Sequence, residues 1–135
     1  MTLDDVKIIQ LPKFLDERGN LSFFENEKQI PFIISRSYWI YDVPGGEERG
    51  GHAYKDLQEF IVALSGSFDV VLDDGKTKKT FSLNRSYLGL YVPKLIWRHL
   101  ENFSTNSLAL IVSDKAYDAG QYIRDYVDFK KTKWA

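Results

Sequence analysis

The chain has 135 residues, a net charge of −1 and no cysteines. This length suits one hydrophobic core, so we predict a single domain over residues 1–135. The near-neutral charge argues against general nucleic-acid binding, which needs a basic surface to neutralise phosphates. The lack of cysteine excludes disulfides, thiolate metal ligands and cysteine nucleophiles, and it is compatible with a reducing compartment.

The start of the chain, MTLDDVKIIQ, lacks the charged beginning and long apolar core of a signal peptide. No stretch approaches the roughly 20 apolar residues that a membrane-spanning helix needs. We therefore expect a soluble, cytoplasmic protein that does not contact a membrane.

Short apolar or alternating runs, separated by closely spaced turn signals, predict an all-β sandwich or barrel. The predicted strands cover residues 21–24, 35–41, 59–64, 68–72, 80–83, 89–92 and 108–112. The clearest hairpin joins 68–72 to a polar strand ending at Phe81, because the intervening Asp74-Gly75 step suits the backbone angles of a tight turn. In the tail, apolar residues spaced by three and four predict one or two short helices within 118–131.

His52 is one of only two histidines, and it precedes the apolar strand at 59–64. Alternate residues of a strand share one face, so His52 and Tyr54 should point into the barrel together or out of it together. Without a motif, a solitary histidine of this kind is more often a buried structural residue than a catalytic one.

The spacing around His52 resembles the first signature of the cupins, G-x5-H-x-H-x4-E-x6-G. Its matching residues are Gly46, His52, Glu59 and Gly66, while Tyr54 stands at the second histidine. The second signature, P-x-G-x2-H-x3-N, is matched by Pro93 and Asn102, but Leu95 replaces the glycine and Arg98 the metal-binding histidine. The resemblance implies an antiparallel β-barrel or jelly roll of the RmlC-like type, with a short helical segment at the C-terminus.

The departures from the cupin pattern predict a pocket without a metal ion or other cofactor. A guanidinium at position 98 repels cations and has no lone pair to donate. His99 is a strand neighbour of Arg98 and should face the other way, so it does not restore the site. His52 is then the natural proton-transfer group, since an ordinary histidine pKa of about 6.5 suits a general base.

Several segments resemble a narrower group, the WxcM-like or FdtA-type nucleotide-sugar 3,4-ketoisomerases. These segments are DERG at 16–19, IPF at 30–32, RSYWI at 36–40, RGGHA at 49–53, GLYV at 89–92, WR at 97–98 and YIRDY at 122–126. The resemblance implies transfer of the keto group of dTDP-4-keto-6-deoxyglucose from C4 to C3, without metal, in the synthesis of amino sugars for surface glycans. It also implies a homodimer that exchanges N-terminal strands.

The same resemblance assigns His52 as the base that carries a proton from C3 to C4. Tyr38 is expected to shuttle the hydroxyl proton between O3 and O4, or to donate to the developing oxyanion.

The expected substrate-binding residues are Arg18, Arg49, Tyr54 and Arg98. Guanidinium groups suit the diphosphate or the sugar oxygens. Tyr54 stands where many members of this family carry a second histidine, which leaves the details of the proton relay open, as it does the configuration of the product at C4.

Two other functions remain open from the sequence. A 3,5-epimerase of the same 4-keto sugars would also use a histidine base but would leave the ketone in place. A non-catalytic sugar-nucleotide-binding cupin would bind without turnover. A metal-dependent cupin dioxygenase is disfavoured by Arg98.

Overall fold

The structure is a computed structural model that describes residues 1–135, and most of its regular elements are short antiparallel strands. The strands are β1 (Lys7–Gln10), β2 (Lys13–Phe14), β3 (Leu21–Ser22), β4 (Arg36–Tyr41), β5 (Arg49–Tyr54), β6 (Glu59–Ser65), β7 (Phe68–Asp73), β8 (Lys78–Leu83), β9 (Leu88–Val92), β10 (Trp97–Glu101), β11 (Leu108–Ser113) and β12 (Tyr122–Ile123). One α-helix, α1 (Tyr126–Lys133), follows, and short 3-10 helices cover Leu3–Asp5 and Ala119–Gln121. The predicted all-β class with a C-terminal helical segment is confirmed.

Two five-stranded sheets enclose the core. Their strand orders are β1-β9-β6-β11-β4 and β12-β5-β10-β7-β8, and β2 pairs only with β3 in a separate hairpin. Inward side chains of both sheets, such as Ile61 and Ile111 from one and Val70 and Leu100 from the other, form one buried cluster. Burial of such branched side chains, each worth about 1.5–3 kcal/mol, holds the sheets together.

The alternation of buried and exposed residues along β10 decides which side chains face the interior. Arg98 and Leu100 are buried, whereas Trp97, His99 and Glu101 lie on the outer face and are partly exposed. The predicted outward orientation of His99 is confirmed, and its imidazole lies 2.5 Å from a carboxylate oxygen of Glu101.

The predicted hairpin is confirmed as β7 and β8, with Gly75 at a backbone φ of +90° in the turn. The Asp74 carboxylate accepts hydrogen bonds from the backbone N–H groups of Lys76 and Thr77, which satisfies the turn. No helix of the chain is long and apolar enough to cross a membrane.

The tail contains the predicted short helices, at Ala119–Gln121 and Tyr126–Lys133, but a strand lies between them. Tyr122 and Ile123 form β12, which pairs with β5 and extends that sheet, and the α-helix begins only at Tyr126. The helix starts there because the Asp125 side chain accepts a hydrogen bond from the backbone N–H of Val127, an N-cap contact. Pairing with the edge of β5 therefore overrides the helical spacing at residues 122–123.

Candidate functional site

The site lies inside the barrel, where β5 and β10 are neighbours. His52 and Arg98 are direct partners across this ladder, and both side chains point inward. Glu59 enters from the start of β6 and Tyr38 from β4 of the opposite sheet. Arg98 and Glu59 are each only 1% exposed and His52 is 7% exposed, so these polar groups meet in a space from which water is nearly excluded.

A buried ion pair joins Arg98 to Glu59. Nε of Arg98 donates to one carboxylate oxygen of Glu59 at 2.9 Å, and Nη2 donates to the other at 3.0 Å. This two-point geometry is the arrangement that compensates a buried guanidinium. Although burial opposes the charged form, Glu59 raises the pKa of Arg98 above its ordinary value, so the arginine stays protonated.

The Tyr38 hydroxyl joins the same network. It donates to Glu59 Oε2 at 2.8 Å and accepts from Arg98 Nη2 at 2.8 Å, while the Tyr54 hydroxyl accepts more weakly from Nη2 at 3.4 Å. Burial raises the pKa of Tyr38 to about 12, and burial also raises the pKa of Tyr54. Both phenols therefore remain protonated at neutral pH.

Gly50 makes room for the guanidinium. A Cβ atom at this position would lie 2.5 Å from Arg98 Nη1 and 3.4 Å from His52 Cε1. Nη1 is also the one nitrogen of Arg98 whose N–H groups make no hydrogen bond to Glu59, Tyr38 or Tyr54. A free charged donor thus lies beside the imidazole of His52.

His52 presents an unpaired nitrogen. Its Nε2 is buried and has no hydrogen-bond partner, and its ring packs against the rings of Tyr54 and Tyr122 at centroid distances of 4.8 and 4.9 Å. Burial, followed by the positive charges of Arg98 and Arg124, lowers the pKa of His52 to about 3. The imidazole is therefore neutral, and its Nε2 can accept a proton.

Two arginines that the sequence analysis did not select lie at the edge of this cluster. The Arg36 guanidinium lies 4.5 Å from the ring centroid of Tyr38 and 5.1 Å from that of Tyr117, and Arg124 lies 4.3 Å from Tyr122. Arg36 and Arg124 form no ion pair with a carboxylate. Arg36 belongs to the segment RSYWI and Arg124 to YIRDY, so the family-like segments could have indicated them. Arg124 comes close to the cluster only because β12 pairs with β5.

Two predicted binding residues are not part of the cluster. Arg18 lies on the turn between β2 and β3, its side chain is 89% exposed, and its guanidinium contacts only Asp16. Arg49 is exposed and lines a separate surface groove of about 460 Å³ with Trp39 and Tyr41.

The residues at the cupin ligand positions do not fit a metal ion. Arg98 places a cation at one position, and its hydrogen bonds occupy both oxygens of Glu59. Tyr54 offers a protonated phenol in place of an imidazole, which leaves His52 as the single neutral nitrogen ligand. The fold and this donor set together define a cupin in which an arginine–glutamate pair stands where other cupins hold their metal.

Comparison with known proteins identifies the group within the cupins. Residues 4–134 match the family model FdtA, described as WxcM-like, C-terminal. A TDP-4-oxo-6-deoxy-alpha-D-glucose-3,4-oxoisomerase from Aneurinibacillus thermoaerophilus is 41% identical over 125 residues, which cover 93% of this chain and 90% of the relative. The chain belongs to the FdtA family, and the family resemblance predicted from the sequence is confirmed.

Solved structures agree with this assignment. QdtA, a sugar 3,4-ketoisomerase from Thermoanaerobacterium thermosaccharolyticum in complex with TDP, superposes with a TM-score of 0.96 at 31% identity, over 98% of this chain and 97% of QdtA. A 3,4-ketoisomerase from Helicobacter canadensis superposes with a TM-score of 0.94 at 39% identity, over 97% of this chain and 98% of the relative. A dTDP-4-dehydrorhamnose 3,5-epimerase from Bacillus anthracis is similar in fold, with 19% identity and a TM-score of 0.79 over 90% of this chain and 79% of the epimerase.

Proposed function

We propose that this chain is a sugar-nucleotide 3,4-ketoisomerase that converts a dTDP-4-keto-6-deoxyhexose into the 3-keto isomer. The observation that carries the proposal is a buried His52 whose Nε2 has no hydrogen-bond partner, paired across the β5–β10 ladder with Arg98, whose Nη1 makes no hydrogen bond to Glu59, Tyr38 or Tyr54. One group can take a proton from carbon, and the other can stabilise the oxyanion that results. The family membership and the names of the relatives support the same chemistry.

The first step is removal of the C3 proton, which the adjacent C4 carbonyl makes acidic. His52 Nε2 accepts this proton, and the electrons move to O4, which becomes an enolate oxygen. In this proposal Arg98 Nη1 binds the developing negative charge, since a fixed charged donor in a nearly dry site is an effective stabiliser. After O3 has lost its hydrogen and O4 has gained one, His52 returns its proton to C4, so one base serves both carbons.

The pKa of His52 in the protein alone is lower than a general base needs at neutral pH. The substrate changes that balance, because a negative charge forming between His52 and Arg98 favours the imidazolium. Proton transfer and charge formation at O4 are therefore coupled. The same charge that lowers the pKa of the resting imidazole attracts the enolate.

The diphosphate is proposed to bind at the edge of the cluster, between Arg36 and Arg124. Both are without a carboxylate partner, and guanidinium groups bind phosphate oxygens through parallel hydrogen bonds. The exposed ring of Tyr117 next to Arg36 offers a face for the base. Since Tyr122 packs on His52, this side chain has to move aside as the sugar enters.

The proposed assembly is a homodimer built through the N-terminal strands. The β2–β3 hairpin pairs with neither sheet of its own chain, and it exposes Phe14, Leu15 and Leu21. Apolar side chains in this number on one unpaired hairpin favour contact with a second copy. Arg18 lies on the same hairpin, so any contact of Arg18 with the sugar depends on where the hairpin docks.

The cellular setting stays a proposal from the resemblance. We propose a cytoplasmic enzyme that supplies 3-keto sugars for amination, on the route to surface glycans such as O-antigen or S-layer sugars. The lack of cysteine is compatible with a reducing compartment.

The experiment is to incubate the purified chain with dTDP-4-keto-6-deoxyglucose in deuterated water and to follow the sugar by NMR. A ketone that moves to C3, with loss of this activity in His52→Asn, is the expected result. A His-to-Asn variant of QdtA was crystallised with TDP-4-keto-6-deoxyglucose, so this replacement is compatible with substrate binding in a relative. Exchange at C5 with the ketone still at C4 would instead identify an epimerase, and binding without change a non-catalytic module.

A further inference from the structure

Glu59 has a role in the pocket that its position in the cupin motif does not explain. In a metal-binding cupin the residue at this position is a ligand, but here its oxygens accept hydrogen bonds from Arg98 and from the Tyr38 hydroxyl. We propose that Glu59 acts through Tyr38 as a positioning residue of the isomerisation, and that it holds the Tyr38 proton while the hydroxyl hydrogen passes from O3 to O4. This inference rests on the proposed 3,4-ketoisomerase function.

The hydrogen bonds of Tyr38 decide the direction in which its proton points. Arg98 Nη2 donates to the phenol oxygen at 2.8 Å, and the phenol O–H donates to Glu59 Oε2 at 2.8 Å. One lone pair of the phenol oxygen is then left for the substrate. In this arrangement Tyr38 accepts a hydrogen bond from a sugar hydroxyl, and the 3-hydroxyl of the substrate is such a donor.

The keto shift needs a second proton transfer besides the one at carbon. After His52 removes the C3 proton, the enolate carries its negative charge on O4 and a hydrogen on O3. Before C4 can be protonated to give a 3-ketone, the O3 hydrogen has to leave and O4 has to gain one. Without this exchange the enolate can only take its proton back at C3 and return to substrate.

The proposed relay moves two protons in its first half. The O3–H bond breaks, and its hydrogen forms a bond to the Tyr38 oxygen. At the same time the original Tyr38 O–H bond breaks, and its proton passes to Glu59 Oε2. In the second half Glu59 returns the proton to Tyr38, and Tyr38 delivers a proton to O4. Tyr38 and Glu59 end as they began, and no oxidant, reductant or other reactant is consumed.

The two halves of the relay have to occur together because a free tyrosinate is costly here. Burial raises the pKa of Tyr38 to about 12, so its proton leaves only as the O3 proton arrives. The guanidinium of Arg98 stays in place throughout, since it also bonds to Tyr38 and to the second oxygen of Glu59. The Arg98–Glu59 ion pair thus holds the Tyr38 hydroxyl oxygen and Glu59 Oε2 at hydrogen-bond distance from each other.

The test compares two rates in deuterated water: deuterium entry at C3 of recovered substrate, and formation of the 3-keto product. The variants are Glu59→Gln, which removes the proton acceptor, and Glu59→Asp, which keeps the charge opposite Arg98 but withdraws it from Tyr38. Glu101→Gln on the outer face of β10 is the matched control. If Glu59→Gln does not fold because Arg98 loses its counter-charge, the comparison of the two rates is made on Glu59→Asp alone.

Loss of a proton relay is expected to lower product formation by roughly 100-fold or more, within the usual range for acid–base groups. Deuterium entry at C3 should fall far less, so the ratio of exchange to isomerisation rises at least tenfold in each folded Glu59 variant. If both rates fall in the same proportion, Glu59 is only structural and the inference is wrong. If the unaltered protein forms no 3-keto product, the proposed function itself has failed.

Discussion

His52 and Arg98 face each other across the ladder between β5 and β10, and the positive charge of Arg98 acts on the imidazole from within the barrel. The Glu59 carboxylate binds Nε and Nη2 of Arg98, and burial is the larger cause of the low pKa of His52. The resulting neutral histidine has consequences for both stability and activity.

Stability should depend on pH through His52. Burial and then Arg98 lower its pKa from 6.5 in the unfolded chain to about 3 in the folded one. Between these values the unfolded state binds one more proton, so the free energy of unfolding falls as pH decreases, by about 1.4 kcal/mol per pH unit at most. Urea unfolding from pH 7.5 to 4.5 should show a shallower pH slope in His52→Asn than in the unaltered protein.

The second histidine provides the control for this slope. His99 lies on the outer face of β10 beside Glu101 and is partly exposed. His99→Asn should therefore retain the contribution of His52. Identical slopes for His52→Asn and the unaltered protein would contradict a buried neutral imidazole.

The pH profile of activity should also lack the acid limb of an ordinary histidine. Because the pKa of His52 is about 3 in the free protein, the imidazole stays in its base form between pH 5 and 8. We expect kcat/KM to change little on crossing pH 6.5, measured with substrate far below KM. A tenfold loss per pH unit below 6.5 would mean that His52 titrates normally and that neither burial nor Arg98 lowers its pKa.

Gly50→Ala should damage the site specifically. The added methyl group would meet Arg98 Nη1 at 2.5 Å, so the guanidinium or β5 must shift. Gly46→Ala is the matched control, since Gly46 also has a positive φ, of +84°, but no atom within 4 Å of the added carbon. Each should cost about 1–2 kcal/mol of stability from the backbone alone.

The distinguishing measurement for these glycines is kcat/KM. Displacement of a charged oxyanion donor typically costs roughly 100-fold in rate, and only Gly50→Ala should show such a loss. Equal activity of the two variants would argue that Nη1 does not contact the reacting sugar.

Arg36 and Arg124 should contribute to nucleotide affinity. Each is free of a carboxylate partner, and a hydrogen bond from a charged group is worth about 1.5–3 kcal/mol. Arg36→Gln and Arg124→Gln are therefore expected to weaken binding of dTDP by roughly 10-fold or more, measured by titration calorimetry. Arg85→Gln, which alters an exposed arginine outside the cluster, should leave the affinity unchanged; a loss of the same size there would show a diffuse charge effect.

These residues also mark the limit of what the sequence could predict. Strand alternation and turn residues were sufficient for the all-β class, and motif spacing placed His52, Tyr54 and Arg98 on the inner wall. The contacts of Gly50 with Arg98 and of Arg124 with Tyr122 could not be predicted from local patterns, because they depend on the pairing of β5 with β10 and β12.

The tail shows that a local pattern can also predict the wrong element at single positions. Its spacing of three and four is helical, yet residues 122–123 pair with β5 as a strand, since the edge of that sheet offers unpaired backbone groups. Local periodicity competes there with a tertiary hydrogen-bond ladder. The same pairing places Tyr122 against the ring of His52, a contact that the helical spacing did not predict.

Restoring histidines at the cupin ligand positions should create a metal site. The double variant Tyr54→His/Arg98→His would restore three imidazoles, with His52, and would free both oxygens of Glu59 from the guanidinium. Three histidines and one carboxylate suit Ni²⁺, Co²⁺ or Zn²⁺. We expect the double variant to bind one Co²⁺ per chain, detected by its visible absorption and by metal analysis after dialysis.

The single variant Tyr54→His separates the two substitutions. It supplies a second imidazole but retains the Arg98 cation in the site, and a buried guanidinium excludes a divalent ion by charge and by occupying Glu59. This variant should therefore bind no stoichiometric Co²⁺. If it binds the metal as tightly as the double variant does, the arginine–glutamate pair does not exclude a divalent ion, and this interpretation of the pocket is wrong.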